Sequence, residues 1–137
     1  MGLILDSSVL IAEERIGRNA RQALTEIAAR AAGEDIAISV VTLIEMAHGL
    51  ARANTPHRQA ARRQFLNEVM IAIPVHPVTI PIALRAGKLD GENTAQGIRL
   101  PLSDLLIGIT TLELGFRVAT ANVRHFQMIP RLGILSI

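Results

Sequence analysis

The chain has 137 residues, 50% of them hydrophobic, and carries a formal net charge of +2 with no cysteine. That length fits a single domain with a real if shallow core, and the missing cysteines exclude disulfides and thiolate zinc sites. Three phenylalanines, with no tyrosine or tryptophan, argue against a module that grips single strands by stacking bases on aromatic platforms.

The first element is the apolar run Leu3-Ile4-Leu5, which reads as a short buried strand. Asp6 follows without a spacer, and Ser7 and Ser8 offer N-cap oxygens for a helix beginning near Val9. A leader would need a basic start and a cleavage site. Neither is visible, and the expectation is a cytoplasmic protein. Asn19 to Ala32 carries Leu24, Ile27 and Ala31 on one face, the pattern of an amphipathic helix, and Gly33 stops it. Ile36 to Ile38 predicts a second strand. Ser39 and Thr42 then open a helix running to Leu50, with Glu45 early in it. Asn54-Thr55-Pro56 breaks that helix, and a basic helix with Arg58, Arg62 and Arg63 runs from His57 to Val69.

Val69 to Val75 is apolar, partly β-branched and closed by Pro74, so a third strand is expected there. The prolines at 74, 77 and 81 make this uncharged stretch a poor membrane span. Thr79 to about Asn93 is weakly helical because Gly87 and Gly91 interrupt it, and Thr94 to Leu102 reads as a loop. Ser103 is positioned to cap a helix from Asp104 to Leu114 that Gly115 ends. Phe116 to Thr120 predicts a fourth strand, Asn122 to Met128 a short helical turn, and Gly133 to Ile137 a last strand. Strands alternating with helices imply right-handed βαβ units and a parallel sheet covered on both faces, an α/β fold.

Asp6, Glu45 and Asp104 share a setting at strand ends and helix starts, where the helix dipole favours a charged carboxylate. Each also has a purely local reading. Asp6 fits an N-cap, Thr42-x-x-Glu45 matches a capping box, and Ser103-Asp104 matches a cap and first-turn pair. Carboxylates gathered at one sheet edge would repel one another unless a cation joined them, and oxygen-only ligands suit Mg²⁺ or Mn²⁺. With those acids in one pocket, the rest of the chain is more basic still. Such a body suits a polyanion that meets its cleavage centre through metal ions. Competing sites fail on sequence: there is no Walker A, no Gly-x-Gly-x-x-Gly and no Gly-x-Ser-x-Gly. A haloacid-type phosphoaspartate enzyme would want an acid where Ser8 stands, and a receiver domain would want a late lysine, whereas Lys88 is the only one.

Four segments carry a family resemblance: Leu5-Asp6-Ser7-Ser8-Val9-Leu10-Ile11, Ser39 through Gly49, Leu102 through Gly108 with Leu112 through Gly115, and Thr120-Ala121-Asn122-Val123-Arg124-His125-Phe126. In order and spacing the chain resembles PIN-domain ribonucleases, specifically the VapC toxins of VapBC toxin–antitoxin pairs. The resemblance implies a three-layer α/β/α fold around a parallel sheet, forming one PIN domain over residues 1–137. It implies an endoribonuclease in which Asp6, Glu45 and Asp104 form an acidic triad holding Mg²⁺, Mn²⁺ being a possible substitute. Ser8 would brace Asp6, and Arg124 could meet the RNA backbone. Asn122 and His125 stand where the family often has a fourth acid, which puts a tightly held second metal in doubt. The implied partners are a VapB-type antitoxin, an RNA substrate and a second copy of the chain in a homodimer. Two alternatives stay open: another PIN-fold nuclease acting in RNA processing or on flapped DNA, and a non-catalytic module that binds RNA or a partner.

Overall fold

The computed structural model describes all 137 residues. In chain order its elements are β1 (Gly2–Leu5), α1 (Ser7–Arg15), α2 (Ala20–Arg30), β2 (Asp35–Ser39), α3 (Val40–Ala51) and α4 (Pro56–Ala72). These are followed by β3 (Val75–His76), α5 (Ile80–Ala95), α6 (Leu102–Leu114), β4 (Arg117–Thr120), α7 (Val123–Phe126) and β5 (Gly133–Ser136). The five strands form one sheet in the order β3-β2-β1-β4-β5, every pairing parallel.

Strand β1 sits at the centre and its side chains alternate between the two faces. Leu3 and Leu5 enter a core with Val9 and Leu10 of α1, Ala23 and Ile27 of α2, and Phe65, Leu66 and Val69 of α4. Ile4 enters a second core with Ile82 and Ala86 of α5, Leu105 and Ile109 of α6, and Phe126 of α7. Helix α3 serves both sides, giving Met46 to the first core and Val41 to the second. Both faces of the sheet are thus covered, which is what an all-parallel sheet requires. No helix is long and apolar enough to cross a membrane.

The strand order reverses direction at β1, whose neighbours are β2 on one side and β4 on the other. Crossovers leave in opposite directions from such a point, and a crevice opens outside the carboxyl ends of the two strands. The residues leaving β1 and β4 there are Asp6 and Ala121. The register, which pairs Leu5 with Ala119 and continues with Asp6 N–H donating to the Ala119 carbonyl at 2.9 Å, brings Thr120 beside Asp6.

Several elements depart from the sequence expectation. The third strand is two residues, not seven, because α4 continues through Val69 to Ala72. Val69 completes the buried helical face begun by Phe65 and Leu66, while Ile71 stands 87% exposed. Helix α4 ends only at Ile73, whose extended conformation is the one favoured before a proline. Helix α5 runs through Gly87 and Gly91 to Ala95 instead of stopping near Asn93. Helix α6 begins at Leu102, so Ser103 lies inside its first turn and is not its cap. Helix α1 begins at Ser7, which leaves Asp6 in the cap position. Helix α3 leaves β2 without a loop, and Ser39 caps it by accepting from the Val41 N–H at 3.1 Å.

Thr42 is fully buried, and its hydroxyl donates to the Leu5 carbonyl at 3.2 Å. That bond ties α3 to the end of β1. Thr42→Val keeps the shape and removes the bond, so it is expected to lower unfolding free energy by about 1–2 kcal/mol in urea melts. An unchanged midpoint would show that the tie contributes nothing.

Candidate active site

Asp6 is 3% exposed and occupies the N-cap position of α1, yet its side chain makes no cap bond. The carboxylate turns into the crevice instead. Its Oδ2 accepts from Ser8 Oγ at 2.7 Å and from Thr120 Oγ1 at 2.8 Å. These two hydroxyls are held in turn. The Ala121 N–H donates to Ser8 Oγ at 3.1 Å, and the Asn122 N–H donates to Thr120 Oγ1 at 2.8 Å. Asp6 Oδ1 is buried and has no hydrogen-bond partner.

Asp104, 7% exposed, is the third residue of α6, where the dipole of the helix start favours its charge. Its Oδ2 lies 2.6 Å from His125 Nδ1, and the Asn122 amide nitrogen lies 2.9 Å from the same ring nitrogen. A carboxylate only accepts, so with Asp104 ionised His125 Nδ1 carries the proton and donates. Glu45 is the sixth residue of α3, beyond its first turn, so the helix dipole does not hold it. Nor does it close a capping box, since the Thr42 hydroxyl is committed to Leu5. Glu45 instead accepts from Ser7 Oγ at 3.0 Å.

The three acids share one cleft and feel one another's charge. Burial pushes the Glu45 carboxyl above the usual carboxylate range, and the negative charges of Asp6 and Asp104 push the same way against the Ser7 bond. Burial likewise raises Asp104, with Asp6 adding to the rise, while the His125 bond and charge oppose it. Arg124 stands exposed on α7, and His48 is exposed on α3.

As the side chains stand, no group of three His, Asp or Glu residues is arranged to hold a metal ion. The donor chemistry nonetheless fits a hard divalent cation, which takes carboxylate oxygens. The buried, unpartnered Asp6 Oδ1 is a costly orphan without such a partner.

Ser7, Thr42, Thr120 and His125 all hold the acids or the elements that bear them, a role the sequence alone does not assign. The available signal was the hydroxyl on each side of the crevice: the Ser7-Ser8 pair directly after β1, and Thr120 at the end of β4.

The PIN domain family model matches residues 3–132. "Ribonuclease VapC10" of Mycobacterium tuberculosis is 35% identical over 130 residues, covering 95% of this chain and 90% of that protein. "Ribonuclease VapC" of Rickettsia bellii is 26% identical over 137 residues, covering 100% of this chain and 97% of that protein. Among solved structures, VapBC2 from Rickettsia felis bound to a promoter DNA fragment superposes with a TM-score of 0.81 at 18% identity, covering 100% of this chain and 99% of the other. A toxin–antitoxin complex from Klebsiella pneumoniae gives 0.67 at 25% identity, covering 98% and 96%.

The raised carboxyls set the sign of a pH effect. A group whose folded-state value lies above its unfolded value costs stability once ionised, and the cost is relieved as pH falls through the raised value. Glu45→Gln in EDTA is therefore expected to melt a few degrees above the wild type at neutral pH. The gap should close toward about pH 4, where the unfolded-state carboxyl also protonates. A lower melting temperature for the variant at neutral pH would mean that Glu45 is stabilising as a charge.

Proposed function

Since the chain belongs to the PIN domain family, and within it to the VapC group, we propose that it is the toxin of a type II toxin–antitoxin pair, a metal-dependent endoribonuclease that hydrolyses RNA phosphodiester bonds. The observation that carries the reading is the buried Asp6 carboxylate at the switch point of the sheet, one oxygen fixed by Ser8 and Thr120 and the other left without a hydrogen-bond partner.

Asp6, Asp104 and Glu45 would hold Mg²⁺, or Mn²⁺ in its place, and the bound ion would neutralise the scissile phosphate and acidify a coordinated water. Ser8 and Thr120 both occupy Asp6 Oδ2, which leaves Oδ1 as the oxygen available to the ion. His125 does the same for Asp104, with Asn122 beside it. Glu45 has its carboxyl raised toward neutrality by burial, which suits it to accept a proton from the attacking water. Water adds to phosphorus in line with the leaving group and the P–O3′ bond breaks, leaving a 5′-phosphate and a 3′-hydroxyl. Arg124, exposed beside the cleft on α7, is available to the RNA backbone.

The partners follow the same reading. A VapB-type antitoxin is supported by the naming of the VapC relatives and by the toxin–antitoxin complexes among the structural neighbours. A homodimer is supported by uncovered apolar side chains: Ile44 at 64% exposure, Ile80 at 76%, Leu84 at 71% and Leu102 at 61%.

The test is incubation of purified protein, freed of antitoxin, with total RNA. Discrete fragments are expected with Mg²⁺ and none with EDTA. Asp6→Asn is expected to lower the rate by about a hundredfold or more while leaving the circular dichroism spectrum unchanged, since it removes a charge that matters most in the transition state. Equal cleavage by Asp6→Asn, or cleavage in EDTA, would overturn the assignment.

A further inference from the structure

Helices α1, α3 and α4 enclose a cavity of about 130 Å³ that Glu45 itself helps to line. Ile11, Met46 and Leu66 form its walls, and Met46 and Leu66 are buried there. Glu14, Arg15 and Arg62 form a charged rim. We propose that this cavity is a guanine-selective subsite for one nucleotide of the RNA strand whose backbone passes Glu45. The inference rests on the ribonuclease reading for its substrate class and adds the base.

The apolar walls suit the faces of a flat heteroaromatic ring, and the rim suits its edge. Arg62 is fixed in place, its Nη1 donating to the Gly49 carbonyl at 2.6 Å. Its Nε stands 3.9 Å from Glu14 Oε1, beyond hydrogen-bond reach, so the carboxylate accepts no hydrogen bond from it there. Burial raises the Glu14 carboxyl, and the charges of Arg62 and Arg15 hold it down. A donor pair entering the cavity would offset that desolvation by hydrogen-bonding the carboxylate. Arg15 is exposed and enters no ion pair, so its fork is free to turn inward.

A carboxylate next to guanidinium groups selects among the bases by elementary pairing. Guanine alone presents two adjacent donors, N1–H and the N2 amino group, to both oxygens of a carboxylate. It also presents two acceptors, O6 and N7, to an arginine fork. Adenine and cytosine offer one amino group and uracil one N–H, each leaving a rim group unpaired, and unpaired buried polar groups are what a site rejects most strongly. A second cavity of about 420 Å³ shares Glu14 and Arg62 and continues past Arg58 along α4. It extends the path with cationic surface for the neighbouring phosphate.

The experiment titrates the full chain in EDTA with each of the four 5′-nucleoside monophosphates, followed by calorimetry or by amide chemical shifts. Guanosine monophosphate is expected to bind at least about fivefold more tightly than the other three. Glu14→Gln should abolish that preference, and Arg15→Ala should weaken guanosine monophosphate selectively, both in proteins whose circular dichroism and melting match the wild type. Indistinguishable binding of all four, no binding of any, or a guanine preference that survives both substitutions would overturn the subsite and leave the cavity to a protein partner. The titration needs neither metal nor cleavage, so it reads out whether or not the chain cuts RNA. Metal-dependent cleavage without the preference would sink the subsite alone.

Discussion

The site depends on one bond pattern: the Asp6 carboxylate turned away from its own helix and gripped by Ser8 and Thr120. An aspartate at a helix start ordinarily bonds back to the first-turn amides and loses its reactivity to that local role. Here the backbone at Asp6 has cap geometry, but the side chain is drawn across to a hydroxyl on the neighbouring strand. That partner is 114 residues away in sequence and arrives only because β4 pairs with β1. The arrangement of the cleft is therefore a consequence of the strand order. A sheet that placed β4 elsewhere would return Asp6 to capping.

Holding Asp6 in this way makes the cleft electrostatically tense. Two further acids feel its charge, and burial already disfavours ionisation at both. The protein moderates the tension with neutral hydroxyls and one imidazole, not with lysine or arginine. A cationic side chain in the cleft would neutralise the acids outright and compete with a divalent ion for the same oxygens. Hydroxyl donors fix the carboxylates geometrically while leaving their charge available. The expected cost is stability at neutral pH, the usual exchange between a functional site and the fold that carries it.

Much of this was legible in the sequence. The β1–Asp6 junction, the alternation of strands and helices and the three acids follow from apolar runs and breakers, signals that local sequence carries well. What was not legible was decided by partners far along the chain. Whether Asp6 caps or faces the crevice turns on Thr120, and whether Glu45 closes a capping box turns on Thr42, whose hydroxyl goes to Leu5. The run from Val69 to Val75 was ambiguous in principle, since a short apolar stretch does not distinguish a strand from the buried end of a helix. The deciding fact is that Val69 continues the face of Phe65 and Leu66 against the α2 side of the sheet.

Helix α3 links the acidic cleft to the neighbouring cavity. It leaves β2 with no intervening loop, so its orientation is inherited from the sheet, and Thr42 locks its first turn to the end of β1. Three positions then follow within little more than one turn: Glu45 in the cleft, Met46 in the core and the wall of the neighbouring cavity, and Gly49, whose carbonyl holds Arg62. A nucleotide seated against Met46 and Arg62 would therefore be placed relative to Glu45 by a single rigid element. Rigid placement of this kind is what converts binding of a neighbouring group into rate, because the entropy of orientation is spent on binding and not in the chemical step. The same rigidity limits tolerance: a substitution that tilts α3, even far from the acids, would misplace the cleft and the cavity together.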